Sequence, residues 1–413
     1  MSDILTKLIM LSGIFAFDLV IYYLLGRSFP VLKTTWRYGF NWFYWTLSAV
    51  ILTCFWFLDI ILLQVASYND RKTIIISIAL VLISKILAGV YLLLDEITIL
   101  GLTLYSKYKE PKSTTQGPVV TRKQFLYRAA VMMVSVPVTA KGFNLINQAY
   151  DYQVRQVKIL LPNLPQAFHG LRIGQISDIH CGSFNNKAAV TGGVDLLMQQ
   201  KPDLIFFTGD LVNRQTKEVD GYINTFNRVK APLGVYSVLG NHDYGDYRSW
   251  PSISDKRQDF QDMLTAHKQL GWKLLRNENH ILHDHGASLA ILGVENWGIK
   301  RFSKYGDVEA AHKGTEEVQT KLLLSHDPSH WEAKVLDFQD IDITFSGHTH
   351  GFQFGIETGN FKWSPSQYLY KQWAGLYQKG PQYIYVNRGY GFVGIPGRVG
   401  ISPEITIIEL VRS

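Results

Sequence analysis

Two hydrophobic patterns divide the chain. Before residue 100 the apolar positions form long runs, about Ile4–Leu25, Trp42–Val65 and Thr73–Leu94. Each is near the ~20 residues that cross a bilayer as a helix, and too long for an ordinary buried core helix. After residue 150 the runs become short. Val154–Leu161, Leu171–Ser177, Leu204–Thr208, Val235–Leu239, Lys321–Ser325 and Ile341–Ser346 read as strands. Segments such as Asn186–Gln200 and Asp259–Leu270 between them read as helices. That alternation predicts α/β architecture for residues 151–413. Residues 1–105 are predicted to be a three-helix transmembrane region. Residues 106–150 hold a basic loop and a weaker apolar stretch, Ala129–Ala140, which is either a fourth span or an interfacial helix.

Charge sharpens the division. Residues 1–150 carry 14 Lys/Arg and 7 Asp/Glu, whereas residues 151–413 carry 27 of each. The basic balance therefore belongs to the first part alone. A nucleic-acid-binding catalytic half would concentrate it on the other part, so no nucleic-acid partner is expected. Positive loops beside membrane helices fit instead. Arg27, Lys33 and Arg37 make the first loop basic, and Lys107, Lys109, Lys112, Arg122 and Lys123 the third. Those loops are expected in the cytoplasm, with the N-terminus outside. Thr121-Arg122-Lys123-Gln124-Phe125-Leu126 resembles a twin-arginine export signal with Lys at the second position. If the stretch after it spans, the C-terminal half lies on the outer side of a bacterial inner membrane, which is the expectation. Trp36 to Trp45 reads as an interfacial aromatic belt. Asp18 and Lys85 fall at similar depth and are expected to pair, since an isolated charge in the bilayer is costly. Two cysteines, Cys54 and Cys181, give neither a disulfide framework nor a thiolate metal site.

All 12 histidines lie after residue 150. Several fall where apolar runs end. Asp178-Ile179-His180, Gly209-Asp210, Gly240-Asn241-His242-Asp243, His326 and Gly347-His348-Thr349-His350 each follow a predicted strand. Ligands at strand ends on one sheet edge converge. The set is carboxylate, imidazole and one amide, without thiolate, which suits Mn, Fe or Zn. Seven ligands exceed one ion's needs but suit two divalent ions, with Asp210 the central candidate to bridge them. Two such ions about 3.5–4 Å apart clamp a phosphate and acidify a bound water, so in-line attack by metal hydroxide is expected.

These five blocks, in this order, resemble the calcineurin-like metallophosphoesterase superfamily, and within it the bacterial membrane-anchored members. The resemblance implies a two-sheet sandwich flanked by helices. It implies that Asp178, His180, Asp210 and His350 bind one metal, and that Asp210, Asn241, His326 and His348 bind the other. His242 would donate to the phosphoryl oxygen or protonate the leaving group, oriented by Asp243. Some members of the family cleave the pyrophosphate of a UDP-linked diacylglucosamine. That substrate is cytoplasmic, which export of the domain would oppose.

Other positions carry weaker signals. Asn360–Tyr377 is rich in aromatics with interspersed lysines, and reads as a packed loop or as a lip that dips toward lipid beside the site. Arg388 and Arg398, in the glycine-rich segment Asn387–Gly400, are candidates to hold a phosphate, with turn and salt-bridge roles equally open. Asp327 and His330 could orient a ligating imidazole. His280, His283, His285 and His312 lack ligand spacing and read as surface residues. The expected function is hydrolysis of a phosphate ester or pyrophosphate, lipid-linked or otherwise, at a bilayer. The rival readings are a phosphodiesterase or nucleotidase on soluble substrate that is merely anchored, and a metal-regulated receptor or transporter.

Overall fold

A computed structural model describes residues 2–28, scattered positions between 42 and 97, and residues 148–298, 302–359, 361–394 and 397–413. The chain forms two compact units, Met1–Asn144 and Leu145–Ser413.

In the first unit the helix α1 covers Ser2–Ser28. Asp18 is buried on it, and the Tyr44 hydroxyl donates to the Asp18 carboxylate at 3.2 Å and to its backbone carbonyl at 3.0 Å. The expected partner Lys85 lies outside the described residues. So do Thr73–Leu94, Ala129–Ala140 and most of Trp42–Val65. Among the described residues no helix is long and apolar enough to cross a membrane. The three-span reading of residues 1–105 therefore rests on composition and charge.

The second unit is built on two six-stranded sheets. The first contains β1 (Gln153–Leu161), β2 (Arg172–Ile176), β3 (Leu204–Phe207), β4 (Val235–Ser237), β5 (Lys273–Leu274) and β14 (Glu404–Arg412), in the order β1-β14-β2-β3-β4-β5. The second contains β6 (Glu278–Asp284), β7 (Ala287–Gly293), β8 (Thr320–Leu324), β9 (Ile343–Ser346), β12 (Gly375–Lys379) and β13 (Gln382–Val386), in the order β12-β13-β9-β8-β7-β6. A separate hairpin pairs β10 (Ile356–Thr358) with β11 (Phe361–Trp363). The central strands are buried on both faces, which is why their sequences are continuous apolar runs rather than alternating ones. Ile173, Leu204, Phe206 and Ile291 pack with Leu322, Leu324, Ile343 and Phe345 between the sheets. Phe206 and Phe345 meet edge to face, with centroids 4.8 Å apart.

Helices cover the outer faces. Lys187–Gln199 packs Val190, Val194 and Leu197 against the first sheet, and Ile253–Leu270 adds Met263, Ala266 and Leu270. Asn186 caps the former by accepting from the Ala189 amide at 3.0 Å. The latter starts ahead of the segment that periodicity suggested, because Ser252 accepts from the Asp255 amide at 3.1 Å and stabilises an otherwise polar first turn. Trp331, Val335 and Val308 cover the second sheet. The result is the expected α/β sandwich of two sheets flanked by helices.

The last strand closes the first sheet by entering between β1 and β2, parallel to one and antiparallel to the other. Glu404 at its start is fully buried. It accepts from Tyr385 Oη at 2.7 Å and pairs with Arg388 Nη1 at 2.5 Å. Arg388 also pairs with Glu357 at 2.9 Å. Arg388→Met should cost about 3 kcal/mol in chemical denaturation, because it takes the nearest cation from the buried Glu404 carboxylate and leaves it the partly exposed Arg155 at 3.4 Å. A cost below about 1 kcal/mol, typical of an exposed pair, would contradict this account.

Candidate dinuclear metal centre

The strand ends bring all five motifs to one edge of the sandwich. The loops that follow the strands bond to one another and extend the sheet ladder past its last regular residue. The Asp178 amide donates to the Gly209 carbonyl at 2.8 Å, the His180 amide to the Asp210 carbonyl at 3.1 Å, and the Gly347 amide to the His326 carbonyl at 3.0 Å. Crowding explains two of the glycines. A Cβ on Gly347 would sit 2.2 Å from Asp178 Oδ2, and one on Gly209 would sit 2.5 Å from the Gly240 amide nitrogen.

Five of the seven expected ligands adopt left-handed backbone: Asp178 (φ 52°), His180 (52°), Asp210 (62°), His348 (69°) and His350 (50°). Residues with a Cβ rarely adopt it, and each instance costs on the order of 1–3 kcal/mol. The turn it makes swings each side chain over the sheet edge.

Two donor groups result. Asp178, His180 and His350 form one, and Asp210, His326 and His348 the other. His180 Nε2 and His350 Nε2 are 3.0 Å apart, and His350 Nε2 is 3.2 Å from Asp178 Oδ1. His326 Nε2 is 3.2 Å from Asp210 Oδ2, and His348 Nδ1 is 3.3 Å from His326 Nε2. Asp210 Oδ2 is also 3.6 Å from His180 Nε2, so this one oxygen faces both groups. Asn241 is the remaining ligand expected for the second group. Its Nδ2 donates to Tyr247 Oη at 2.7 Å, which turns its buried Oδ1 away without a hydrogen-bond partner among the described residues. Converging lone pairs, a buried amide oxygen with no donor and two carboxylates are what a pair of divalent cations would satisfy. The residues fit the ions.

Electrostatics agree. Burial alone would raise the Asp178 and Asp210 carboxyls. The imidazole of His350 beside Asp178, and those of His326 and His242 beside Asp210, hold both below the ordinary carboxylate range. Burial pushes His180 and His348 down, which keeps them neutral with a free lone pair. His326 donates from Nδ1 to the Thr208 carbonyl at 2.7 Å and turns Nε2 to the centre; there the Asp210 carboxylate outweighs burial and pushes the ring up to about 10, so a bound cation would take the place of the Nε2 proton.

His242 belongs to neither donor group but borders them: its ring meets that of His180 edge-on at 4.9 Å, and its amide donates to Asp210 Oδ1 at 2.8 Å. Its Nδ1 lies 2.7 Å from the Asn213 carbonyl, and its ring stacks on Tyr247 with centroids 4.1 Å apart. This corrects the role expected of Asp243. Asp243 does not orient the imidazole. Its two oxygens accept from the amides of Asp210 and Gly240 at 2.9 Å, Leu211 at 2.8 Å and Val212 at 3.3 Å. It is a clamp on the backbone that carries Asp210.

The phosphate role for the two arginines is also not what the structure shows. Arg388 is engaged by Glu404 and Glu357. Arg398 is fully buried, and it donates to the carbonyls of Arg388 at 2.8 Å and Gly389 at 3.0 Å and to that of Gly391, fixing the turn behind His350. Cys181 is buried in the core between the first sheet and its helices. His330 stacks on Trp297 and contacts Ser325 rather than a ligand. Asp327 Oδ2 approaches His348 Nε2 to 3.8 Å.

Comparison with known proteins agrees with this geometry. Residues 171–352 match the family described as calcineurin-like phosphoesterase, and that part of the chain is a domain of this superfamily. The chain is 29% identical over 301 residues to a Bos taurus protein named transmembrane protein with metallophosphoesterase domain, covering 70% of this chain and 64% of the relative. The Danio rerio protein of that name is likewise covered over 64% of its length, so the chain spans a little under two thirds of these relatives. It is 26% identical over 298 residues to the uncharacterized metallophosphoesterase YkuE of Bacillus subtilis, covering 70% of this chain and 98% of the relative. It is 27% identical over 282 residues to the UDP-2,3-diacylglucosamine pyrophosphatase LpxG of Chlamydia trachomatis, covering 55% of this chain and 81% of the relative.

Asp243→Asn removes one of two acceptor oxygens and the charge behind four amides. It should destabilise the protein by on the order of 3 kcal/mol and lower the metal bound per chain. His242→Asn should leave metal content unchanged. Metal analysis with thermal denaturation reads both, and an Asp243→Asn protein with wild-type metal content and melting temperature would contradict the clamp.

Proposed function

We propose that this chain is a membrane-associated, metal-dependent phosphoesterase that hydrolyses a phosphate ester or pyrophosphate of a lipid-linked substrate. The observation that carries the reaction class is the pair of donor groups sharing Asp210. In this reading Asp178, His180, Asp210 and His350 hold one divalent ion, and Asp210, Asn241, His326 and His348 hold the second. Mn, Fe and Zn all suit these donors. When bound, the ions would polarise phosphoryl oxygens and activate a water. The chain's own contribution at the reacting phosphate is His242. With Nδ1 engaged by the Asn213 carbonyl, Nε2 is the ring nitrogen left for the substrate, where a proton on it would donate to a phosphoryl oxygen or pass to the leaving oxygen.

The lipid-linked part rests on surface and similarity. Phe352, Phe354, Ile356, Phe361, Tyr368 and Leu369 are large apolar side chains left exposed in the segment that follows His348 and His350. Exposed apolar groups gathered in one short segment mark a binding surface. A relative is named as a pyrophosphatase of a diacylated sugar nucleotide. The apolar runs before residue 100 would hold the domain at the bilayer. With the basic first and third loops in the cytoplasm, a fourth span at Ala129–Ala140 would put the C-terminal half on the outer side in this reading, so a reporter fused after Ser413 should score as exported. A cytoplasmic score would move the substrate toward a nucleotide-linked pyrophosphate.

With Mn present, the wild-type protein should hydrolyse a generic aryl phosphate, and a chelator should abolish that activity. Asp210→Asn should abolish it too, and His242→Asn should lower kcat about 10²–10⁴-fold with metal retained. Wild-type rates in Asp210→Asn would defeat the enzyme reading. Phe361→Ser with Leu369→Ser should slow hydrolysis of a vesicle-borne substrate and spare the aryl phosphate; equal effects on both would defeat the lipid reading.

A further inference from the structure

The aromatic segment after the Gly-His-Thr-His turn sends one side chain back into the centre. Tyr370 Oη lies 2.8 Å from His348 Nε2. Across the same ring, Nδ1 lies 3.3 Å from His326 Nε2, which faces Asp210. So Nδ1 looks into the second donor group and Nε2 looks at the tyrosine. A neutral imidazole carries one proton. A lone pair on Nδ1 therefore requires the proton on Nε2, and a ligating imidazole needs an acceptor for that proton. Asp327 Oδ2, at 3.8 Å, is beyond hydrogen-bond reach. The Tyr370 hydroxyl oxygen is within it. The opposite arrangement, Tyr370 donating to Nε2, would put the ring proton on Nδ1 and block it as a ligand.

We propose that Tyr370 is the positioning residue of the second metal site: it accepts the His348 Nε2 proton and so commits Nδ1 to the ion. The inference rests on the dinuclear reading above. It concerns one site only, because Tyr370 contacts no member of the Asp178, His180 and His350 group in any hydrogen bond among the described residues. Packing alone does not require the hydroxyl. The Tyr370 ring meets the imidazole edge-on at 5.4 Å and Phe302 does the same at 5.3 Å, contacts that phenylalanine at position 370 would keep.

Titration of the full-length, metal-free protein with Co(II), followed by visible absorption, tests this. The wild-type protein should bind two ions per chain. Tyr370→Phe should weaken one of the two steps about 10–100-fold, the usual effect of losing such an outer partner, and leave the other step and the melting temperature of the metal-free protein unchanged. Tyr370→Gln, whose side-chain carbonyl can accept the same proton, should recover most of the lost affinity. Two unchanged steps in Tyr370→Phe would overturn the proposal. Both steps weakened together with a lower melting temperature would assign Tyr370 a packing role instead. A Gln variant as weak as Phe would overturn the acceptor role. Uptake of a single ion by the wild-type protein would defeat the dinuclear reading itself, and this inference with it.

Discussion

The position of the Asp210 carboxylate governs everything else at the centre. Oδ2 faces His180 at 3.6 Å and His326 at 3.2 Å, and Oδ1 accepts the His242 amide at 2.8 Å. The residue sits in left-handed backbone, its amide held by Asp243 and its carbonyl by the His180 amide. A flexible loop would relax that conformation, since it is disfavoured for a residue with a Cβ. Here the loop cannot relax without breaking its bonds to the neighbouring strand ends. The buried sheets thus supply the stability that keeps five candidate ligands in strained backbone, and the strain aims them at common points.

The same logic explains the distribution of buried charge. Asp243, Arg388, Arg398 and Glu404 are all buried, and their hydrogen bonds go mainly to backbone groups or to one another. Each fixes backbone. Asp243 holds the Asp210 turn, Arg398 holds the Arg388–Gly391 turn against His350, and Glu404 with Arg388 locks the start of the closing strand. Burying such groups is tolerable because each is largely hydrogen-bonded. Tyr370, 2.8 Å from His348 Nε2, and Arg398, 3.3 Å from His350 Nδ1, are points where this supporting framework meets the side chains of the donor groups.

Much of this was legible in the order of residues, and the illegible part has a common cause. The strands that end in ligands are short apolar runs followed by Asp, Asn or His, and β2, β3, β4, β8 and β9 lie within about two residues of where those runs place them. The six residues that gather in the two donor groups were legible for the same reason, because each strand end carries its own motif. The hairpin of β6 and β7 was not, since Glu278–Asp284 mixes polar and apolar residues on a half-buried edge. Roles set by partners far away in sequence were also hidden. Nothing local to Asp243 says that its oxygens reach back to residues 210–212, and nothing near Tyr370 distinguishes it from the aromatics around it. The arginines stayed open between phosphate, turn and salt-bridge roles because a glycine-rich turn with basic residues looks the same whether it binds phosphate or its own backbone.

The central claim is that Asp210 joins two metal sites into one centre. Electron paramagnetic resonance of the Mn-loaded, full-length protein addresses it directly, because two ions bridged by one carboxylate are exchange-coupled. The account predicts a coupled two-ion signal in the wild-type protein that collapses to uncoupled Mn in Asp210→Asn. A wild-type protein with two bound ions and only uncoupled signals would contradict it.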